Sequence, residues 1–125
     1  MVCAWNSSWG NKGINMKNSV EVKNISFSYG KTEILNDLSL DIKEGEFMVL
    51  LGPSGCGKTT LLNCIAGLLD LCDGQIWIED DNVTWKEPKD RHIGMVFQSY
   101  ALYPSMTVEK NLSFGLRMIG TSKKI

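Results

Sequence analysis

The 125-residue sequence lacks several features that would assign it to a membrane or nucleic-acid-binding class. It has no apolar run near the ~20 residues that a membrane-spanning helix needs. Its net charge of −1 includes no basic excess of the kind that nucleic-acid-binding proteins carry. We therefore expect no nucleic-acid partner, and we expect any membrane association to depend on a partner protein.

Cysteine and histidine are too sparsely placed to indicate a metal site. The four cysteines include no C-x-x-C pair, and the single histidine is His92, which precedes a predicted strand. We predict reduced thiols, as is typical of cytosolic proteins, and a solvated rather than functional histidine. Any functional site in the chain is therefore expected to depend on residues other than cysteine and histidine.

What the sequence does contain is a glycine-rich loop. Residues Gly52 to Thr59 fit the phosphate-binding pattern G-x-x-x-x-G-K-[ST]. The apolar run Phe47 to Leu51 predicts a buried strand before the loop, and apolar residues at helical spacing predict a helix after it. A dinucleotide-binding G-x-G-x-x-G motif starting at Gly55 is excluded, because Thr60 stands where its third glycine belongs. The pattern therefore predicts a nucleoside triphosphate site.

Each residue type in this loop suits phosphate chemistry. Glycines let the backbone approach a ligand closely, and successive N–H groups form an anion-binding nest at the start of the helix. We predict that Lys58 contacts the β- and γ-phosphates, in binding and in catalysis, and that the Thr59 hydroxyl is a ligand of Mg²⁺. The predicted nucleotide-binding loop comprises Gly52, Pro53, Ser54, Gly55, Cys56, Gly57, Lys58, Thr59 and Thr60.

The sequence before the loop divides into a polar N-terminal extension and a segment of predicted strands. Residues 1–15 have little periodicity or apolar surface, so we expect a disordered extension, with Met16 as a candidate natural start. Alternating apolar residues from Val20 to Ile42 predict antiparallel strands, with a bulge near Lys23-Asn24 and a break after Leu35. By contrast, the composition of the run at 47–51 predicts a central parallel strand.

The chain after the loop predicts further strands and one helix. We predict that the first helix ends near Leu71, that Gln75 to Glu79 is a strand, that Lys86 to Arg91 is a solvated loop, and that Ile93 to Phe97 is a second buried strand. Thr107 predicts the N-cap of a helix that ends at Gly120 and buries Val108, Leu112 and Leu116. The predicted fold class is α/β, a partial P-loop NTPase core with an N-terminal antiparallel β subdomain, spanning residues 16–125.

The segment from Val20 to Gly120 resembles the first half of an ABC-transporter nucleotide-binding domain. The resemblance depends on the loop at 52–60 and on a second block, Gly94-Met95-Val96-Phe97-Gln98-Ser99-Tyr100-Ala101-Leu102-Tyr103-Pro104. The sequence of these two blocks is most similar to that of ATPase subunits of bacterial importers for sugars and polyamines. It implies ATP and Mg²⁺ as cofactors, ATP hydrolysis coupled to import, and a cytoplasmic location on the inner face of the membrane.

The resemblance also implies roles for residues outside the loop. Tyr29 is similar to the aromatic that stacks on adenine, although an ordinary strand aromatic is the alternative. Gln98 is similar to the Q-loop glutamine that contacts Mg²⁺ and the attacking water, and its alternative is a polar residue ending a strand. The Tyr100–Met106 region resembles the surface that receives a transmembrane permease subunit, with local loop packing as the alternative.

Three elements of the family pattern have no counterpart in the 125 residues: the Walker B acids, the signature and the switch histidine. In the family a second nucleotide-binding domain completes each site, and a solute-binding protein acts indirectly. Since phosphoryl transfer depends on positioned groups, we expect the chain alone to bind ATP weakly and to hydrolyse it negligibly. The alternative is a nucleotide- or partner-binding module, derived from such a domain, that never hydrolyses ATP.

Overall fold

The structure is a computed structural model that describes residues 17–120 in full and residues 3–5 by their backbone. It divides into two compact units, Met1–Ile93 and Gly94–Ile125, each of which is described here by itself. Within the described residues no helix is long and apolar enough to cross a membrane. The elements are β1 (Cys3–Trp5), β2 (Asn18–Tyr29), β3 (Thr32–Lys43), β4 (Val49–Leu51), α1 (Lys58–Ala66), β5 (Asp73–Ile78), β6 (Asp81–Asn82), a short 3-10 helix (Pro88–Asp90) and α2 (Val108–Met118).

An antiparallel sheet with the strand order β3-β2-β5-β6 dominates the first unit. The predicted bulge is confirmed, because the register between β2 and β3 shifts between Val22 and Ile25. Asn24 takes a left-handed conformation there (φ 48°), and its side chain donates to Asp37 Oδ1 at 2.8 Å. The break predicted after Leu35 is wrong, since β3 continues through it as one strand.

The core of the first unit lies between this sheet and α1. It is built from Val22, Ile25, Phe27, Leu35, Leu61, Cys64, Leu71, Ile76, Ile78 and Val83. The helix is shorter than predicted and ends at Ala66 rather than near Leu71. Gly67 stops it in a left-handed conformation (φ 80°), and the Leu68 N–H bonds back to Asn63 O at 2.9 Å. Leu71 still reaches the core from the following loop.

The predictions of a central parallel strand at 47–51 and of a second buried strand at 93–97 are both wrong. Strand β4 pairs antiparallel with β1, with Ala4 opposite Leu50, and Phe47 is 87% exposed. Residues 93–97 form no strand, and Val96 is 91% exposed. An apolar run indicates a tendency to be buried but does not specify a hydrogen-bonding partner, and a strand needs that partner to form.

Strand β1 lies inside the segment that the sequence predicts to be disordered. The structure differs from that prediction at Cys3–Trp5, where the backbone is extended and paired. The rest of the 1–15 extension lies outside the described residues. The prediction missed β1 because a three-residue strand has no periodicity of its own to detect.

In the second unit, α2 begins as predicted but is not buried as predicted. Thr107 is its N-cap, with Oγ1 accepting from the Lys110 N–H at 3.3 Å. Val108, Leu112 and Leu116 are exposed, at 77%, 79% and 57%, so their predicted burial is wrong. Amphipathic spacing predicts that a helix has an apolar face, but it does not predict what covers that face. The helix ends at Met118, two residues before Gly120.

Candidate functional site

The predicted phosphate-binding loop connects β4 to α1, in the order strand, loop, helix. Strand β4 ends at Leu51 and α1 begins at Lys58. Within the loop, the Cys56 N–H donates to Pro53 O at 3.3 Å and closes a turn. Gly55 and Gly57 take left-handed conformations, with φ of 79° and 96°, that strongly favour glycine. The loop therefore depends on its glycines, as the pattern predicts.

Gly57 also fixes the loop against the sheet. A Cβ at this position would lie 3.1 Å from Leu35 Cδ2 and 3.4 Å from Ile34 O, both on β3. Directly after it, the Leu61 N–H donates to Gly57 O at 2.8 Å and starts α1. Within the described part of the chain, no side chain caps this helix and its first turn holds no acidic residue. The first N–H groups of α1 are thus suited to bind an anion.

The half-buried side chain of Lys58 turns back onto the loop that precedes it. Its Nζ donates to Gly52 O at 2.5 Å and to Pro53 O at 2.8 Å, and it lies 3.3 Å from Cys56 Sγ. Among the described residues, the acceptors that hold this ammonium at the loop include two uncharged carbonyls. A phosphate group, which carries full negative charge, would compete for it with those carbonyls.

Lys58 also changes the acidity of its neighbour Cys56. Burial alone would raise the pKa of this thiol, but the hydrogen bond and positive charge of Lys58 outweigh it and lower the pKa. On α1, burial raises the pKa of the Cys64 thiol to about 11. The two cysteines therefore differ in reactivity, and the more acidic one belongs to the loop.

The donor set around the loop suits a magnesium ion that arrives with a nucleotide. Thr59 lies exposed on the first turn of α1, next to Lys58, where its hydroxyl is accessible to a metal ion. Among the described residues, no group of three or more His, Cys, Asp or Glu side chains could hold a metal alone. Mg²⁺ keeps several waters and commonly binds through few protein ligands plus substrate phosphates. The loop fits that mode of binding.

Tyr29 lies at the same end of the sheet as the loop. It ends β2, is 53% exposed, and packs edge-on against Phe27 with ring centroids 4.8 Å apart. Phe27 is opposite Leu35 in the β2–β3 register, and Leu35 is the residue that Gly57 approaches. Within the first unit, Tyr29 is thus connected to the loop through Phe27 and Leu35. Its role toward adenine stays a prediction.

The other predicted residues lie in the second unit. Gln98 is exposed in a turn that continues to Ala101. In the Tyr100–Met106 region, Tyr100 is 79% exposed and Leu102 is 70% exposed. These exposures make the region accessible to a partner. The roles of Gln98 and of this region stay predictions.

Arg91 is the structural residue that the sequence interpretation missed. It is buried, although the sequence predicts a solvated loop at 86–91, and each of its nitrogens donates to a backbone carbonyl. Both Cys64 O and Ile65 O accept from Nη1 at 2.9 Å, Lys86 O accepts from Nε at 3.0 Å, and Thr84 O accepts from Nη2 at 3.2 Å. Burial lowers the pKa of this guanidinium. Arg91 therefore caps the far end of α1, and no local pattern marks it.

Comparisons with known proteins show the family to which the chain belongs. The family model described as "ABC transporter" matches residues 35–125. The sn-glycerol-3-phosphate import ATP-binding protein UgpC of Escherichia coli (strain K12) is 56% identical over 95 residues, covering 76% of this chain and 27% of the relative. The protein of the same name from Salmonella choleraesuis (strain SC-B67) is 57% identical over 94 residues, covering 75% and 26%.

A solved structure shares the fold. The nucleotide-free ATP-binding cassette of an ABC transporter matches with a TM-score of 0.54 and 29% identity, over 59% of this chain and 29% of that one. The chain spans about a quarter of the length of the curated relatives it matches. It has an α/β fold that corresponds to part of such a cassette, with its antiparallel β subdomain. The chain belongs to the ABC transporter family.

Proposed function

We propose that this chain is the nucleotide-binding part of an importer's ATP-binding subunit, which couples ATP binding and hydrolysis to solute import. The observation that carries the proposal is the loop at 52–59, where Lys58 donates to loop carbonyls beside a helix N-terminus that no described side chain caps. The relatives' names, which include import and ATP binding, support the same assignment.

ATP binding follows from replacing neutral acceptors with charged ones. Lys58 exchanges the carbonyls of Gly52 and Pro53 for phosphate oxygens, while the amides of the loop and of the first turn of α1 donate to the same anion. At an effective dielectric constant of ~20, one contact between unit charges at about 4 Å is worth about 4 kcal/mol before desolvation. Mg²⁺, held by the Thr59 hydroxyl, would neutralise part of the remaining phosphate charge.

The remaining predicted residues complete the proposal. Tyr29 stacks on adenine, Gln98 orients the attacking water and contacts Mg²⁺, and the Tyr100–Met106 region docks on a transmembrane permease subunit. The protein is then cytoplasmic, peripheral on the inner face of the membrane, and paired with a second nucleotide-binding domain. A solute-binding protein contributes only indirectly. The exposure of Tyr29, Gln98 and Tyr100 supports these roles.

Binding and turnover are separate parts of the proposal. The 125 residues hold the predicted phosphate cradle but no match to the family's Walker B or signature sequences. We therefore expect this chain by itself to bind ATP weakly and to release phosphate at a negligible rate. Sustained ATP hydrolysis by the purified chain, lost on Lys58→Ala, would contradict that expectation.

Titration with a fluorescent ATP analogue in the presence of Mg²⁺ tests the binding site. We expect Lys58→Ala to weaken binding at least ~10-fold, since each 1.4 kcal/mol of lost interaction is one factor of ten. Lys43→Ala is the matched control, because it removes the same charge from an exposed position at the end of β3. Equal affinity in wild type and Lys58→Ala would remove the proposed role of the loop lysine.

A further inference from the structure

The side-chain amide of Asn111 forms a set of contacts that the proposed function does not use. Asn111 lies half-buried on the first turn of α2. Its Oδ1 accepts from the Tyr103 N–H at 2.9 Å. Its Nδ2 donates to Tyr103 O at 3.2 Å, to Met106 O at 3.2 Å and to Thr107 O at 3.1 Å. The Asn111 side chain thus bonds to the backbone N–H and C=O of Tyr103 and to two later backbone carbonyls.

An amide is well suited to make this set of contacts. Asparagine offers an acceptor and two N–H donors at once, whereas a carboxylate only accepts and an ammonium only donates. Toward Tyr103, Asn111 acts as a neighbouring strand would, by pairing with its N–H and its C=O together. The Tyr103 ring adds a second contact with α2, because its centroid lies 4.8 Å from the centroid of the Phe114 ring. The loop from 103 to 107 is therefore fixed to the helix that follows it.

The turn just before this loop is in an unfavourable conformation. Tyr100 and Ala101 are consecutive left-handed residues, with φ of 63° and 49°, and neither is glycine. Such residues persist where the surrounding structure holds them, and they often occur at functional sites. Between this turn and the Asn111 contacts lies Leu102, which is 70% exposed. The exposed Leu102 thus lies between a turn in an unfavourable conformation and a segment that Asn111 holds.

We propose that Asn111 is a positioning residue that holds the Tyr100–Met106 region in its docking conformation before a partner binds. The inference rests on the proposed function, which assigns this region to contact with a transmembrane permease subunit. A preformed loop loses less conformational entropy on binding, so its affinity for the partner is higher than that of a mobile loop. Asn111 acts through the loop backbone and itself contacts no partner.

Amide hydrogen exchange measures the first step of this proposal. In Asn111→Ala the Tyr103 amide loses its acceptor, and we expect its exchange to accelerate roughly 5-fold or more. The Leu116 amide, in the second half of α2, reports on the helix itself and should keep its rate. Ser113→Ala is the matched control, because the Ser113 hydroxyl donates to Glu109 O at 2.8 Å within the same helix. That variant should leave the Tyr103 amide unchanged.

Co-sedimentation with proteoliposomes measures the second step. The probe is a proteoliposome holding the membrane subunits of the Escherichia coli sn-glycerol-3-phosphate importer, with protein-free liposomes as the blank. We expect the full 125-residue chain and Ser113→Ala to bind equally, and Asn111→Ala to bind roughly 5-fold more weakly or worse, in proportion to the loss of order in the loop. Binding of the fluorescent ATP analogue should be unchanged in all three proteins.

The outcomes separate this inference from the proposed function. Unchanged Tyr103 exchange in Asn111→Ala, or faster exchange with unchanged docking, overturns the positioning role and leaves the docking surface standing. Failure of the wild-type chain to bind these proteoliposomes overturns the docking surface, and the positioning role falls with it. Faster Tyr103 exchange together with weaker docking, in Asn111→Ala alone, establishes the inference.

Discussion

Arg91 fills the space that Gly67 leaves by having no side chain: a Cβ on Gly67 would lie 2.6 Å from the Arg91 Nε. The guanidinium reaches the last carbonyls of α1 across this gap and donates to Cys64 O and Ile65 O. A cation at a helix C-terminus also interacts favourably with the helix dipole. Since α1 begins at the glycine-rich loop, Gly67 and Arg91 fix the opposite end of the helix that follows the proposed site.

Removing the guanidinium should destabilise the first unit strongly. In Arg91→Ala, carbonyls that are buried with it lose charged donors, and we expect the free energy of unfolding to fall by about 3 kcal/mol. Urea unfolding followed by tryptophan fluorescence measures this. Lys89→Ala, which removes an exposed cation from the same loop, should change stability by less than about 0.5 kcal/mol. Equal stability of Arg91→Ala and Lys89→Ala would show that the buried contacts contribute nothing.

Adding one methyl group should disturb the same contact from the other side. Gly67→Ala places a Cβ against the guanidinium and forces a left-handed conformation on alanine. We therefore expect the free energy of unfolding, measured with urea as above, to fall by at least about 2 kcal/mol. Gly120→Ala is the matched control, because Gly120 is also left-handed (φ 72°) but a Cβ there meets nothing within 4 Å. A similar loss in both variants would assign the effect to backbone strain alone.

Tyr29 provides a test of nucleotide base recognition that is independent of the phosphates. We expect Tyr29→Ala to weaken ATP binding about 5-fold, since aromatic stacking contributes about 1 kcal/mol. Tyr29→Phe keeps an aromatic ring and should bind ATP as tightly as the wild type does. Inorganic tripolyphosphate, which has no base, should bind wild type and Tyr29→Ala equally. The measurement is competition against the fluorescent ATP analogue. Parallel weakening of ATP and tripolyphosphate would mean that Tyr29 only supports the fold.

The cysteines should differ in their rates of alkylation by iodoacetamide. The thiolate is the reactive form, and with a pKa of about 11 only about one Cys64 in a thousand is ionised at pH 8. Because the pKa of Cys56 is lowered, its thiolate forms at lower pH than that of Cys64. The Cys56 peptide should therefore be labelled before the Cys64 peptide. Lys58→Ala should raise the pKa of Cys56 and slow its labelling, and Lys43→Ala should not. Mass spectrometry of the labelled peptides at several pH values decides this.

Local patterns in the sequence predicted the glycine-rich loop better than the sheet around it. The loop between a strand and a helix at 52–57, the Lys23-Asn24 bulge and the Thr107 N-cap each depend on a few adjacent residues, and the structure has all three. The loop's positive φ angles follow from glycine itself, because few other residues adopt them. Features that depend on neighbouring residues are the ones a single sequence can predict.

Features that depend on distant residues were predicted wrongly or missed. The run at 47–51 has the composition of a buried strand, yet which strand pairs with it is decided by residues elsewhere in the chain. Leu112 has the spacing of a buried helical residue, but spacing does not supply the surface that would cover it. Arg91 contacts carbonyls more than 20 residues away, and in sequence it is indistinguishable from an exposed arginine.

Above all, we propose that backbone amides of the loop and the Lys58 ammonium together bind the phosphates of ATP. The most direct test is ¹H–¹⁵N NMR of the labelled chain during titration with ATP and Mg²⁺. We expect saturable chemical-shift changes of the Gly55, Gly57 and Lys58 amides, greatly reduced in Lys58→Ala, while the Ile76 amide in the sheet keeps its chemical shift. Loop amides that do not move at saturating ATP, or that move equally in Lys58→Ala, would contradict it.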